Sequence, residues 1–599
     1  MGILDTVYFL PIPFTQVKFE VNGCQVAIAL CVLPLMWLVR GLYRLISWKI
    51  NRDTLKALVK VKREESKEAR DRLKERIKDT PGYKKQDEIT KLGTAELIQK
   101  LHKRELKALD ALHAFQGKAL KLNEDLNFWC ETLEEAEEWA KECDDSKELK
   151  GLLHGLPISL KDHLAVKGYD QTIGLTQSIF KPSLMDQSIV QVLRSQGAVP
   201  FVKTNVPQLM FSLETSNPVF GTSLNPHDKK RGPGGSSGGE GAIIGGGGSV
   251  LGIGSDIGGS IRCPATFCGC CGFKPTAGRL SNDDNLEMFK GEKTIPATFG
   301  PLAKDVNGLA VCMEALLTDQ LFQLAPTTPP LVFNKQIYED KRPMKIGYFA
   351  SFDPPLFEAI PAVQRAVREA KQILEHQGHT LVEFKPPFVQ ELFRDVYTPC
   401  IIGESCTEHY KSLKGEIIDP TTRMLAFTHV APMWLKTCLK HFLSLIGMKD
   451  EAATIESSSK MKRCQDWWDV TALCEKLTGR FIDHWKRAGL DAVIAPAYGS
   501  VAMPTGNPED YVGQILAYFA LWNVLNFPAG VLPVTKVTKS DQENLKHWKA
   551  STFASRRIKK HMEGSEGLPV AVQCITLPWQ DERCLRLMAD LERGVKNKK

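Results

Sequence analysis

Arg231 to Leu280 reads RGPGGSSGGEGAIIGGGGSVLGIGSDIGGSIRCPATFCGCCGFKPTAGRL. It carries five serines (Ser236, Ser237, Ser249, Ser255 and Ser260), one aspartate, Asp256, and a dense set of glycines, with no histidine. Glycine is poor material for a helix or strand interior, costing about 0.5–1 kcal/mol relative to alanine. It permits instead positive φ and the close approach of other groups, so main-chain N–H groups can be turned inward around a small anionic centre. An oxyanion hole has that requirement.

Three motifs, two for nucleotides and one for a hydrolase nucleophile, fit the stretch badly. A phosphate-binding loop needs G-x-x-x-x-G-K-[ST], and no lysine follows these glycines at that spacing; Gly252, Gly254 and Gly258 miss the G-x-G-x-x-G register by one residue. Gly235-Ser236-Ser237-Gly238-Gly239 matches the G-x-S-x-G elbow with Ser237 at its centre. An elbow lies directly between a hydrophobic strand and a helix, whereas the run before this one, Asn225 to Gly234, is polar and loop-like.

The longer pattern resembles the amidase signature family. Gly234 to Gly239, Gly254 to Ala265, Gly272 to Thr276 and Gly278-Arg279 fall in the order that family shows. The resemblance implies an α/β amidase signature fold, a mixed β-sheet core covered by helices. It also implies a serine nucleophile activated through a second serine, in a cis peptide, by a lysine. Ser260 is then the nucleophile, Ser236 the bridging serine and Ser237 a hydrogen-bonding neighbour, while the amides of Ile257, Gly258, Gly259 and Ser260 form the oxyanion hole. Glu240 and Ser255-Asp256-Ile257 depart from the commonest pattern and resemble the fatty acid amide hydrolase branch.

The lysine of the triad falls in Gly155-Leu-Pro-Ile-Ser-Leu-Lys-Asp-His163, where Lys161 matches the family. Period-two alternation sets Ile158 and Leu160 on one side and Ser159, Lys161 and His163 on the other, so Lys161 can enter a site. Met210 and Phe211 match positions that line the acyl channel of that branch. Asn523 to Pro533 and Gly567 to Gln573 resemble late landmarks of the same fold. The resemblance implies no cofactor and no metal.

With 599 residues, 43% hydrophobic and 25% charged, the composition is that of an ordinary globular chain with one large domain plus extensions. The net charge of +7 is small for this length, and nucleic acid is not an expected partner. Sixteen cysteines are scattered without a disulfide framework. The one tight cluster, Cys263, Cys268, Cys270 and Cys271, lacks the second pair or the histidines of a zinc site, so reduced structural thiols are expected.

The chain divides into an N-terminal segment (1–24), an expected transmembrane helix (25–48), a charged connecting helix (49–93) and the catalytic domain (94–599). Nineteen uncharged residues separate Glu20 from Arg40, a run that at about 1.5 Å per residue just reaches across a core of about 30 Å. Arg40, Arg44, Lys49 and Arg52 follow it, and the positive-inside rule places the catalytic domain in the cytosol. Ala431 to Met448 repeats Trp434, Leu435, Cys438, Leu439, Phe442, Leu443 and Ile446 at helical spacing. A core helix would explain that stripe, but the resemblance implies that residues 431–448 form a membrane-binding cap, as in the branch it resembles.

The combined expectation is a membrane-bound serine hydrolase that cleaves long-chain fatty acid amides, N-acylethanolamines and primary amides among them, to fatty acid and amine. Its partners would be the lipid amide, the bilayer and a second copy in a homodimer. Its place would be an intracellular, endoplasmic-reticulum membrane crossed once. The alternatives are an amidotransferase-type amidase subunit and a catalytically idle, membrane-tethered binding protein.

Overall fold

Eleven strands form one mixed sheet, and the chain crosses it repeatedly. In chain order the strands are β1 (Trp129–Thr132), β2 (Pro157–Lys161), β3 (Val199–Thr204), β4 (Ser216–Asn217), β5 (Gly221–Thr222), β6 (Leu251–Asp256), β7 (Cys271–Lys274), β8 (Thr298–Ala303), β9 (Lys345–Tyr348), β10 (Thr380–Glu383), β11 (Ala492–Pro496), β12 (Ala529–Lys536) and β13 (Pro569–Ile575). The sheet order is β1-β3-β2-β6-β8-β7-β12-β13-β11-β9-β10, with β4 and β5 pairing apart from it. The computed structural model describes residues 23–283, 291–352, 357–508 and 513–598, with the backbone alone at 23–46, 48 and 450.

The sheet is covered on both faces. Every residue of β2, β3, β7, β8, β11 and β13 is buried, including the polar Ser159, Lys161, Lys203 and Thr204. Helix Pro361–His376 packs on β11 and β13, and helix Asp581–Asn597 on β12. Both are amphipathic, with Ala362, Val363, Ala366, Val367, Ala370 and Leu374 forming the inward stripe of the former. The expected strands at Lys345–Tyr348 and Ala492–Pro496 are present, and the expected amidase signature sheet is mixed, β2 running parallel to β3 and β6 while β8 runs antiparallel to β6.

The N-terminal expectation is corrected. Gly23–Ile77 is one 55-residue helix, and among the described residues no helix is long and apolar enough to cross a membrane. Within that helix the uncharged part ends before Arg40, leaving 17 residues from Gly23, about 25 Å of helix against a hydrocarbon core of about 30 Å. The transmembrane helix, the bilayer as a partner, the single-pass endoplasmic-reticulum placement and the description as membrane-bound are all set aside with it. Of the N-terminal segment 1–24, residues 1–22 lie outside the described residues.

Contacts divide the chain into two units, Met1–Thr54 and Leu55–Lys599. In the second, Leu73 and Ile77 are fully buried in the main core. Lys62 is buried there too, ion-paired with Glu131 and, at 2.8 Å, with Asp170. Helix Met433–Leu445 is not a core helix: Trp434 is 68% and Leu445 86% exposed, while the buried residue is Lys436. The lysine points inward because Ser405 and Ser459 accept from its ammonium.

Candidate active site

Parallel strands end at a common edge, and a crevice beyond their carboxyl ends is where open α/β sheets place their chemistry. β2 ends on Lys161 and its parallel neighbour β6 on Asp256, with Ser159 opposite Gly252 and Leu160 opposite Ile253. The Gly/Ser-rich segment supplies two loops to that edge. One, ending at Ser237, leads into helix Gly238–Gly245; the other, Ile257 to Ile261, leads into helix Arg262–Cys268.

Lys161 is fully buried. Its Nζ donates to Ser236 Oγ at 2.8 Å and to Ser255 Oγ at 3.0 Å. The Gly235–Ser236 peptide is cis. The Ser237 amide donates to the Ser260 carbonyl at 3.1 Å, tying the two loops together. Lys161, Ser236, Ser237 and Ser260 are thus gathered at one edge, although 75 residues separate the lysine from its serine partner.

Burial dominates the electrostatics. It pushes the Lys161 ammonium down to about 7, against the pull of Asp256, Glu240 and Asp162, which favour the charged form. It pushes the buried Glu240 carboxyl up to about 7, against hydrogen bonds from Ser159 and Thr204 and the charge of Lys161. Ser159 Oγ and Thr204 Oγ1 each donate to Glu240 at 2.6 Å. Gly252 makes room for that carboxylate, since a Cβ there would lie 1.8 Å from Glu240 Oε2.

Asp256 is the anchor of the second loop. Its carboxylate accepts from the amides of Gly259 at 2.8 Å and Ile261 at 3.1 Å, and from the Arg262 guanidinium twice at 3.0 Å. Burial alone would raise this carboxyl, but the Arg262 charge and hydrogen bonds outweigh it and hold Asp256 well below the usual range. Arg262 in turn donates to Gln573 Oε1 at 2.7 Å and Asn523 Oδ1 at 2.6 Å. The late landmarks of the sequence therefore have a physical role: each delivers one amide side chain to the buried arginine. Of the four amides expected to form an oxyanion hole, that of Gly259 is already donated to Asp256. Those of Ile257, Gly258 and Ser260 have no acceptor among the described residues.

Met210 and Phe211 lie beside this centre. They follow Leu209 in a short turn in which Leu209 and Met210 have positive φ, and a Cβ on Gly235 would lie 2.5 Å from the carbonyl of Ser212, the next residue along. Both pack on a second apolar cluster made by Ile173, Leu175, Leu209, Cys406, Leu413 and Leu425. Ser255, absent from the expected set, is a direct partner of Lys161; its hydroxyl one residue before the Asp256 anchor was the available signal. The four clustered cysteines are buried free thiols, with burial raising each.

Fold and site together define an amidase signature hydrolase: the family description "Amidase" matches residues 110–585, and the chain belongs to that family. Within it the chain is similar to the fatty acid amide hydrolases. It is 37% identical to "Fatty-acid amide hydrolase 1" of Sus scrofa over 84% of this chain and 85% of the relative. It is 35% identical to "Fatty acid amide hydrolase 1" of Caenorhabditis elegans over 89% and 92%. A solved structure titled "Fatty acid amide hydrolase" superposes with a TM-score of 0.72 at 24% identity, covering 90% of each chain, which supports the fold.

Proposed function

We propose that this chain hydrolyses acyl amides through Ser260 as nucleophile, Ser236 as proton relay and Lys161 as base. The observation that carries the reading is the hydrogen bond of 2.8 Å between Lys161 Nζ and Ser236 Oγ, both side chains buried. A lysine pushed down to about 7 is substantially neutral at working pH and can accept a proton. In this mechanism Lys161 takes the Ser236 proton as Ser236 takes that of Ser260. The Ser260 alkoxide attacks the amide carbon, and loop amides hold the tetrahedral oxyanion. The proton returns through Ser236 to the nitrogen as the C–N bond breaks and the amine leaves. Water then attacks the acyl–Ser260 ester by the same relay and releases the acid.

A fatty acyl chain is the acyl group we assign. The apolar cluster against Met210 and Phe211 supports it, as does the likeness to the fatty acid amide hydrolases. The test is labelling by a fluorophosphonate alongside hydrolysis of an oleoyl amide. Native protein should do both, and Ser260→Ala should do neither, whereas Ser237→Ala should keep a measurable rate because its part is to brace the Ser260 backbone. Labelling that survives in Ser260→Ala and vanishes in Ser237→Ala would return the nucleophile to the G-x-S-x-G pentapeptide.

A further inference from the structure

The loop that carries Ile257, Gly258 and Gly259 is flanked by two aromatic side chains from distant parts of the chain. On Gly259 a Cβ would lie 2.6 Å from the Phe519 ring, so that glycine is enclosed. On Gly258 a Cβ would lie 2.1 Å from the hydroxyl oxygen of Tyr397, so this phenol sits directly on the loop backbone. Tyr397 is 6% exposed. Its ring is stacked on Phe393, with centroids 5.7 Å apart and planes 15° from parallel, so the hydroxyl is held by packing. Among the described residues that hydroxyl has no hydrogen-bond partner, which leaves its O–H for a ligand or a water.

The backbone explains how the residue arrives there. Leu392–Tyr397 is a π-helical turn, and such a turn inserts one extra residue, rotates the side chains after it, and occurs frequently at functional sites. The turn packs against helix Ala517–Val524, which also carries Phe519. One local irregularity therefore brings a donor over Gly258 while the neighbouring Gly259 amide is spent on Asp256.

We propose that the Tyr397 hydroxyl donates a hydrogen bond to the carbonyl oxygen of the bound amide and to the oxyanion formed on it, completing with the Ile257 and Gly258 amides the hole beside Ser260. The proposal rests on Ser260 being the nucleophile. No proton changes owner: the phenol keeps its hydrogen throughout, and the hydrogen bond shortens as negative charge grows on the oxygen. Burial, with Asp256 adding to it, raises the phenol's pKa, so it remains a donor wherever Lys161 is neutral.

Tyr397→Phe removes the oxygen and keeps the stack on Phe393. Steady-state hydrolysis of an oleoyl amide should show kcat lower by roughly 10- to 100-fold with KM changed far less, as expected for a donor used mainly in the transition state. Inhibition by an alkyl trifluoromethyl ketone, whose adduct with Ser260 bears the oxyanion, should weaken by a comparable factor, while the melting temperature stays within a degree or two. A kcat within twofold of native, or a kcat loss with unchanged ketone inhibition, overturns the proposal. Ser260→Ala separates the two readings: if it is inactive and Tyr397→Phe is normal, Tyr397 alone is wrongly assigned; if Ser260→Ala retains turnover and ketone inhibition, the nucleophile is wrong and the Tyr397 role falls with it.

Discussion

Lys161 has no solvent and two hydroxyl partners, and those facts set its chemistry. A free lysine titrates near 10.4; burial brings this one to about 7, so the basic form grows as pH rises through neutrality. The rate constant kcat/KM for an oleoyl amide should climb with pH across that value and level off above it, and Lys161→Ala should remove the climb. An amine is a worse leaving group than an alkoxide and needs a proton more, so Lys161→Ala should cost an amide more than the matched methyl ester. Equal losses on both substrates would show that Lys161 does not protonate the leaving group. Glu240 tunes the same limb. Its charge favours protonated Lys161, so Glu240→Gln, which keeps the side-chain shape beside Ser159 and Thr204, should shift the rising limb to lower pH. An unchanged limb would mean that the carboxyl is neutral throughout and acts by hydrogen bonding alone.

Within the unit Leu55–Lys599, one contact that holds the helical residues 55–77 to the sheet is short and charged. Lys62 is buried between Glu131, on β1, and Asp170. Burial acts to lower this lysine, but the two carboxylates outweigh it and hold it charged. Lys62→Met leaves two carboxylates facing each other without their shared cation, and breaking such a buried pair costs roughly 3–5 kcal/mol. Urea unfolding at pH 8 should show a loss of that order. The loss should shrink as pH falls, because burial already pushes Glu131 up and protonation removes the unpaired charge. An unchanged midpoint at pH 8 would make the pair incidental. At the same scale, helix Met433–Leu445 shows why periodicity alone misleads: Trp434, Phe442 and Ile446 of its stripe are exposed, and the residue it buries is Lys436.

Across the whole molecule, the residues proposed to bear the chemistry were legible because they lie in one ordered motif. Gly234 to Ala265 specified the two loops, and the run Gly155 to His163 offered Lys161 as the proposed base only through its match to the family, since a lone lysine otherwise reads as a surface charge. The strand patterns at Lys345–Tyr348 and Ala492–Pro496 were readable for the same local reason. What one dimension could not supply were relations across long sequence separations. Arg262 meets Gln573 and Asn523, more than 250 residues away, only because β12, β13 and the helix before them close over the signature. The Gly259 amide looks like its neighbours in sequence and is distinguished solely by the carboxylate beneath it. Tyr397 had no signal of its own, because a π-helical turn is set by packing and not by composition. Hydrophobicity was the cue that failed: an uncharged run states that a segment is apolar, whereas crossing a bilayer needs a helix of sufficient apolar length, and no described helix has it. Sequence by itself determined the family and, through its motif, the side chains proposed to react, since those are matters of identity and order. Only the tertiary structure decided which amides are free, what lies above the loop and what each helix buries, since those depend on which distant groups compete for the same donor or the same space.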